Sequence, residues 1–156
     1  MINVILNYWF TIGSYDKWFL DGSKYDLEIK TIFAGILQKA ESNQLGHWKN
    51  TKCGYVAYII LLDQFSRHIY RNSPQAYQND THALLFMESH LKKYIHKLSA
   101  KEKLFVLLPY QHAENIELQY RGYNLLQALI ANEQDENEKK FNEKFLYKSI
   151  YYIFNF

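Results

Sequence analysis

The chain has 156 residues, near the usual size of a single domain, and can bury about 70% of its unfolded surface without disulfides or metals. Its 18 Lys and Arg against 16 Asp and Glu give a formal charge of +2, too weak a field for a dedicated nucleic-acid binder. Hydrophobic residues make up 48% and charged residues 22%, which excludes a disordered chain, and one cysteine excludes an internal disulfide and suits a reducing, cytoplasmic setting.

Only two prolines and six glycines punctuate the sequence. An all-β domain needs a turn signal every ~8–12 residues, so helices are expected throughout. The N-terminal stretch Met1 to Phe10 lacks the basic start and small-residue cleavage site of a secretory signal. The longest apolar run, Tyr55 to Leu62, is far short of the ~20 residues that cross a bilayer, so no membrane association is expected.

After Ser23, the residues Ile29, Ile32, Phe33, Ile36, Leu37 and Ala40 recur at helical spacing and are expected to share one buried face. A second helix is expected from about Thr51 into Gln64. Val56 to Leu62 is apolar on nearly every side, which suits a central helix, and the competing reading as a buried strand finds no partner strands. Past Asn72-Ser73-Pro74, the pattern Leu84, Met87, Leu91, Tyr94, Ile95 and Leu98 predicts a third long helix, with Pro74 in its approach or first turn. Ser99 and Glu102 have the spacing of a capping box, and Lys103 to Leu108 follows as helix until Pro109, which is expected to end or kink it. Leu118, Leu125, Leu126, Leu129 and Ile130 mark the next helix, and the polar stretch Asn132 to Lys140 separates it from a last segment, Phe141 to Phe156. The sum is an all-α single domain over residues 1–156, an antiparallel helical bundle with short loops and no internal sequence repeat.

Two polar clusters could carry chemistry. The first is Asp63-Gln64-Phe65-Ser66-Arg67-His68-Ile69-Tyr70-Arg71, at the end of the buried helix. Asp63 and Arg67 stand at i, i+4 on one face with Arg71 one turn further, while Gln64 and His68 line the adjacent face. On the surface such a pair contributes about 1 kcal/mol at most, but ionisable groups continuing a buried helix have to be paired or used. Loss of Asp63 would then strand Arg67, at a cost on the order of 3 kcal/mol. The second cluster is Pro109-Tyr110-Gln111-His112-Ala113-Glu114, with Gln119 and Arg121 downstream. A helix broken at Pro109 would let these side chains project into a cleft. His112 suits acid, base or ligand roles, and Glu114 could orient it or cap the following helix. No third and fourth metal ligands appear at recognisable spacing, Cys53 reads as a buried inert thiol before an apolar run, and no Gly-rich phosphate loop or nucleophile elbow is present. Neither a metal nor a cofactor is expected.

Tyr8-Trp9-Phe10, Trp18-Phe19, Asp63-Gln64-Phe65-x-Arg67-x-Ile69-Tyr70-Arg71 and Pro109-x-x-His112-x-Glu114 with Gln119, in this order and at these separations, resemble the bacterial family known as domain of unknown function 924. The resemblance spans nearly the whole chain and implies an all-α, tetratricopeptide-like fold with a polar site whose ligand and reaction are not established. Members of that family continue with a His followed by Phe-Gly-Arg-Phe-Pro-x-Arg-Asn. This chain reads Ser149-Ile150-Tyr151-Tyr152-Ile153-Phe154-Asn155-Phe156, with Ser149 about where the His would be and Phe156 at the start of the motif. The resemblance thus implies a C-terminally truncated member.

Two functions from different classes fit these residues. One is a binding module for a small anionic ligand or acidic peptide, with Asp63, Gln64, Arg67, Tyr70, Arg71, His112, Glu114 and Gln119 around a cleft and Tyr70 and Tyr110 as apolar walls. The other is a hydrolase- or transferase-like enzyme with His112 as general base, Glu114 or Asp63 orienting it and Arg67 stabilising developing negative charge. An inactive truncated remnant is the third reading. The aromatic segment 141 to 156 is expected to leave an apolar patch that promotes self-association.

Overall fold

The computed structural model describes residues 1–11, 17–18 and 21–155, with side chains described as far as residue 147. Among the described residues every regular element is helical. The chain divides into two compact units, Met1–Phe86 and Met87–Phe156.

In the first unit, α1 (Ile2–Phe10) buries Ile5, Tyr8 and Trp9 along one stripe. A 3-10 turn (Gly22–Tyr25) leads into α2 (Asp26–Glu41), whose acidic first turn, Asp26 and Glu28, complements the helix dipole. The buried stripe of α2 is Ile29, Phe33, Leu37 and Ala40, narrower than the sequence pattern because Ile32 is exposed and Ile36 half-buried. A second 3-10 turn (Gly46–Asn50) precedes α3 (Lys52–Ile59), where the Thr51 hydroxyl caps the helix by accepting from the Gly54 N–H at 3.1 Å.

The apolar run is a helix, as its lack of partner strands predicts. It continues from α3 through a π-helical segment (Ile60–Phe65) into the short α4 (Ser66–Ile69). Tyr55 to Leu62 is buried on all sides. Around Phe65 stands an aromatic cluster: the Phe33 ring lies 4.5 Å away between centroids, and Trp9 and Tyr8 present edges at 5.7 and 6.2 Å. Each such side chain contributes about 1.5–3 kcal/mol by burial, so α1 and α2 are held by their aromatic contacts to the segment that carries the first polar cluster. Cys53 is exposed, contrary to the expectation of a buried thiol, because it sits in the first turn of α3 on the solvent side, before the buried stretch begins at Gly54.

Pro74 opens a separate 3-10 turn (Pro74–Tyr77) capped by Ser73, and α5 (Asp80–Tyr94) starts only after it. The boundary between the units falls within α5. In the second unit, α6 (Ala100–His112) begins with the expected capping box: the Ser99 hydroxyl accepts from the Glu102 N–H at 3.2 Å and Glu102 Oε1 accepts from the Ser99 N–H at 2.9 Å. Pro109 does not end the helix, since α6 runs on to His112 with the proline inside it. Burial of Leu104 through Leu107, Pro109 and Tyr110 outweighs the one backbone hydrogen bond that proline forfeits.

Helix α7 (Ile116–Ala131) packs on α6 and on the helix that follows, burying Gln119, Gly122, Leu126 and Ile130. Helix α8 (Glu136–Asn155) begins inside the stretch expected to be a linker. Asp135 explains the early start, accepting from the N–H groups of Asn137 and Glu138 at 2.9 and 3.0 Å. Of the aromatic ending, Phe145 is buried, Phe141 is half-buried against it with ring centroids 5.0 Å apart, and Tyr147 is 80% exposed. The side chains of Ile150, Tyr151, Tyr152, Ile153, Phe154 and Phe156 lie outside the described residues.

Two glycines test this packing in opposite directions. A Cβ at Gly122 would stand 2.5 Å from Tyr110 Cβ, whereas one at Gly35 on α2 would meet nothing within 4 Å. Gly35→Ala should therefore gain up to about 1 kcal/mol of helix propensity. Gly122→Ala should lose about 1–3 kcal/mol to overpacking despite the same propensity gain. Denaturant titration of both variants checks this, and a stabilised Gly122→Ala would show that α6 and α7 do not approach as described.

Candidate functional site

The first polar cluster stands where the buried π-helical segment passes into α4. Asp63 is completely buried, and its Oδ2 accepts from the Gln64 side-chain amide at 2.6 Å. Arg67 does not pair with Asp63 in the way the i, i+4 spacing predicts. Its Nη1 donates to the Asp63 backbone carbonyl at 2.7 Å, and the Asp63 carboxylate is only a long 3.5 Å partner. The chief partner is Asp80, the first residue of α5, which takes Nη1 and Nη2 at 3.0 and 3.1 Å in a two-pronged bond. Arg67 would thus keep a carboxylate without Asp63, and the cost expected from stranding it falls accordingly.

One turn on, Arg71 holds the Asp26 carboxylate through Nε and through Nη2 at 3.0 Å. His68 donates from Nδ1 to the same carboxylate at 2.7 Å. The carboxylate fixes the proton on Nδ1 in the neutral ring, because it can only accept. Burial would raise the Asp26 carboxyl, but hydrogen bonds from Arg71 and His68 outweigh it and hold the group below its usual range. Burial pushes the His68 imidazole down, against the upward pull of Asp26. The Tyr70 hydroxyl donates to Glu41 at 3.2 Å, and burial first, then the Glu41 charge, raises its pKa. Glu41 also accepts from Asn79 at 2.8 Å and Gln78 at 3.2 Å.

Between these pairs and the solvent lies a pocket of about 580 Å³, lined by Arg67, Arg71, Asn72, Ser73, Pro74, Ala76 and Tyr77. Asn72 adopts a left-handed backbone with φ of 65°, a conformation asparagine tolerates, and this turns the chain from α4 into the pocket rim. Tyr77 is 63% exposed and its ring stands 5.5 Å from the Arg67 guanidinium carbon.

The second cluster lies wholly in the other unit. His112 is the last residue of α6 and half-buried, and Glu114 is exposed in the turn that follows. Capping of α7 falls to Asn115, whose side chain accepts from the Leu118 N–H at 3.1 Å, and not to Glu114. Gln119 is buried and closes the turn between α6 and α7, donating to the Ala113 and Gln111 carbonyls at 2.9 and 3.5 Å. Tyr110 is buried against Gly122, and its hydroxyl donates to Glu88 at 3.1 Å; Arg121 donates to the same carboxylate at 3.2 Å.

Among the described residues no group of three or more His, Cys, Asp or Glu is arranged to hold a metal ion. None of the helices there is long and apolar enough to cross a membrane.

Residues 5–156, which carry both clusters, match the model of a family described as a bacterial protein of unknown function, DUF924. The chain belongs to the DUF924 family. A solved structure of a protein of unknown function from Agrobacterium tumefaciens is similar to it, with a TM-score of 0.77 and 26% identity over 92% of this chain and 78% of that one. No curated protein matches the chain.

Asp26, Asp80, Glu41 and Tyr77 escape a reading of this DUF924 sequence because they lie on other elements, up to 45 positions from the cluster they complete. A weak trace exists: Asp26 and Asp80 each occupy a first helical turn, where an acid is favoured by the dipole, so their second role is masked by an ordinary one.

Two measurements probe these bonds. Asp80→Ala should cost about 2 kcal/mol by removing both charge-assisted bonds to Arg67, read by denaturant titration; a loss near zero would mean the pair is not formed. For His68, whose folded pKa lies below the unfolded value of about 6.5, the unfolded chain binds more protons as pH falls through that range. Stability should therefore decline on going from about pH 8 to pH 5, with Asp26 adding a further loss below about pH 4. His68→Gln, which keeps a donor for Asp26, should flatten the melting profile over the upper range, leaving the share of His82, also held low by burial.

Proposed function

We propose that the protein is a binding module for a small anionic ligand, held on a cytoplasmic, tetratricopeptide-like helical scaffold. The observation that carries this reading is the pocket of about 580 Å³ with two guanidinium groups in its wall. That volume falls in the range of small-molecule sites, about 300–1,000 Å³, and is compact for an acidic peptide, which needs an extended groove. Arg67 and Arg71 are anchored by Asp80 and Asp26, so their planes are set before a ligand arrives and little side-chain entropy is lost on binding. Asp63 and Gln64 act behind Arg67, and His68 acts behind Arg71 through the shared Asp26 carboxylate. The exposed Tyr147 supports a further role of residues 141–156 in self-association.

Isothermal titration of the full chain with acetate, inorganic phosphate and a tetra-aspartate peptide tests the reading. A small anion should bind, and Arg71→Gln should weaken it about tenfold or more, the loss of one charge-assisted contact. Binding of the peptide alone would move the site to a longer surface, and binding of none of these or of aryl carboxylates would overturn the reading.

A further inference from the structure

Building on the proposed anion site, we infer that its ligand is a small aryl monocarboxylate. Three observations converge on this class. The first is the donor inventory: Arg71 spends Nε and Nη2 on Asp26, and Arg67 spends both terminal nitrogens on Asp80 and the Asp63 carbonyl. Beyond those bonds, and the 3.3 Å approach of Arg71 Nη2 to His68 Nδ1, the two lining guanidinium groups keep Arg71 Nη1, Arg67 Nε–H and the second N–H of Arg67 Nη2. Ser73 adds a hydroxyl: its Oγ accepts from the Gln75 N–H at 3.2 Å, which leaves the O–H to donate. This set matches the two oxygens of one carboxylate.

The second is charge. Two guanidinium groups stand among three carboxylates, Asp26, Asp63 and Asp80, with the His68 ring biased to its neutral form. Each guanidinium is already held by a carboxylate. A phosphate dianion entering there would meet twice the repulsion that a carboxylate meets, at donors already partly neutralised.

The third is the apolar wall. Pro74, Ala76 and the face of Tyr77 line the same pocket, and Tyr77 leaves 63% of its surface to solvent beside the Arg67 guanidinium. A flat aryl body laid on that ring covers the exposed apolar area and stacks in the manner aromatic pairs favour. The carboxylate then reaches Arg71 and Ser73 while the ring rests on Tyr77 and Pro74.

Isothermal titration of the full chain with phenylacetate, acetate and inorganic phosphate decides the matter. Phenylacetate should bind about tenfold or more tightly than acetate, the factor expected from burying an aryl ring, and phosphate should bind most weakly. Tyr77→Ala, a change at an exposed residue, should remove the preference, bringing phenylacetate down to the affinity that the same variant shows for acetate. Ser73→Ala should weaken phenylacetate and acetate alike. Phosphate binding more tightly than phenylacetate, or equal affinity for acetate and phenylacetate, would overturn the aryl carboxylate while leaving an anion site in place. Binding of none of the three would overturn both.

Discussion

A carboxylate with no solvent exposure at the end of a helix buried on every side is the constraint around which the first unit is arranged. Asp63 follows eight consecutive apolar or aromatic residues, Tyr55 to Leu62, so water cannot reach it along its own helix. An ionised group there is tolerated only if it is hydrogen-bonded and faces an opposite charge. Gln64 supplies one bond, and Arg67 supplies the charge while gripping the Asp63 carbonyl. Arg67 is in turn held by the first residue of α5. The demand of one buried acid thus extends to where the next long helix must begin.

The same logic runs a second time through Asp26. Arg71 and His68 both bind its carboxylate, so the start of α2 is tied to the end of α4. The two clamps leave the connecting segment, Asn72 to Tyr77, with its ends fixed and its middle thrown outward, and the pocket forms along it. A left-handed Asn72 and a Pro74 turn capped by Ser73 keep that segment short and stiff. Pocket and clamps share residues because the side chains that pair the buried Asp63 and the half-buried Asp26 and Asp80 also form the pocket wall.

Local signals in this sequence were legible and distant partners were not. The helix over Lys52–Ile59, the capping box of Ser99 and Glu102, and the clustering of polar groups from Asp63 to Arg71 all follow from residues within a few positions of one another. Pro109 shows where a local rule yields: its penalty is one hydrogen bond and a ring clash, about 3 kcal/mol, and the four buried apolar residues Leu104 to Leu107 outweigh that. Asp135 shows a signal present but passed over, a capping acid inside a stretch that looked too polar to be helical. Glu41 and Tyr77 carried no local mark. A lone glutamate at a helix end and a tyrosine in a chain with 14 of them are unremarkable until the fold brings their partners to them.

The paired state of the arginines also decides what kind of binding site they can form. An unpaired guanidinium attracts any anion strongly but must be ordered when the ligand binds, at roughly 0.5–1.5 kcal/mol for each immobilised long side chain. Arg67 and Arg71 have met that cost on folding, through Asp80 and Asp26. Their pull on a distant anion is correspondingly reduced, because each carries its counter-charge beside it. What remains is short-range and directional: specific N–H groups at fixed positions, next to an aromatic face. A site built in this way discriminates by shape and by hydrogen-bond geometry more than by charge. On the proposed reading, such a site suits a ligand whose affinity comes largely from its apolar body and whose anionic group sets its orientation in the pocket.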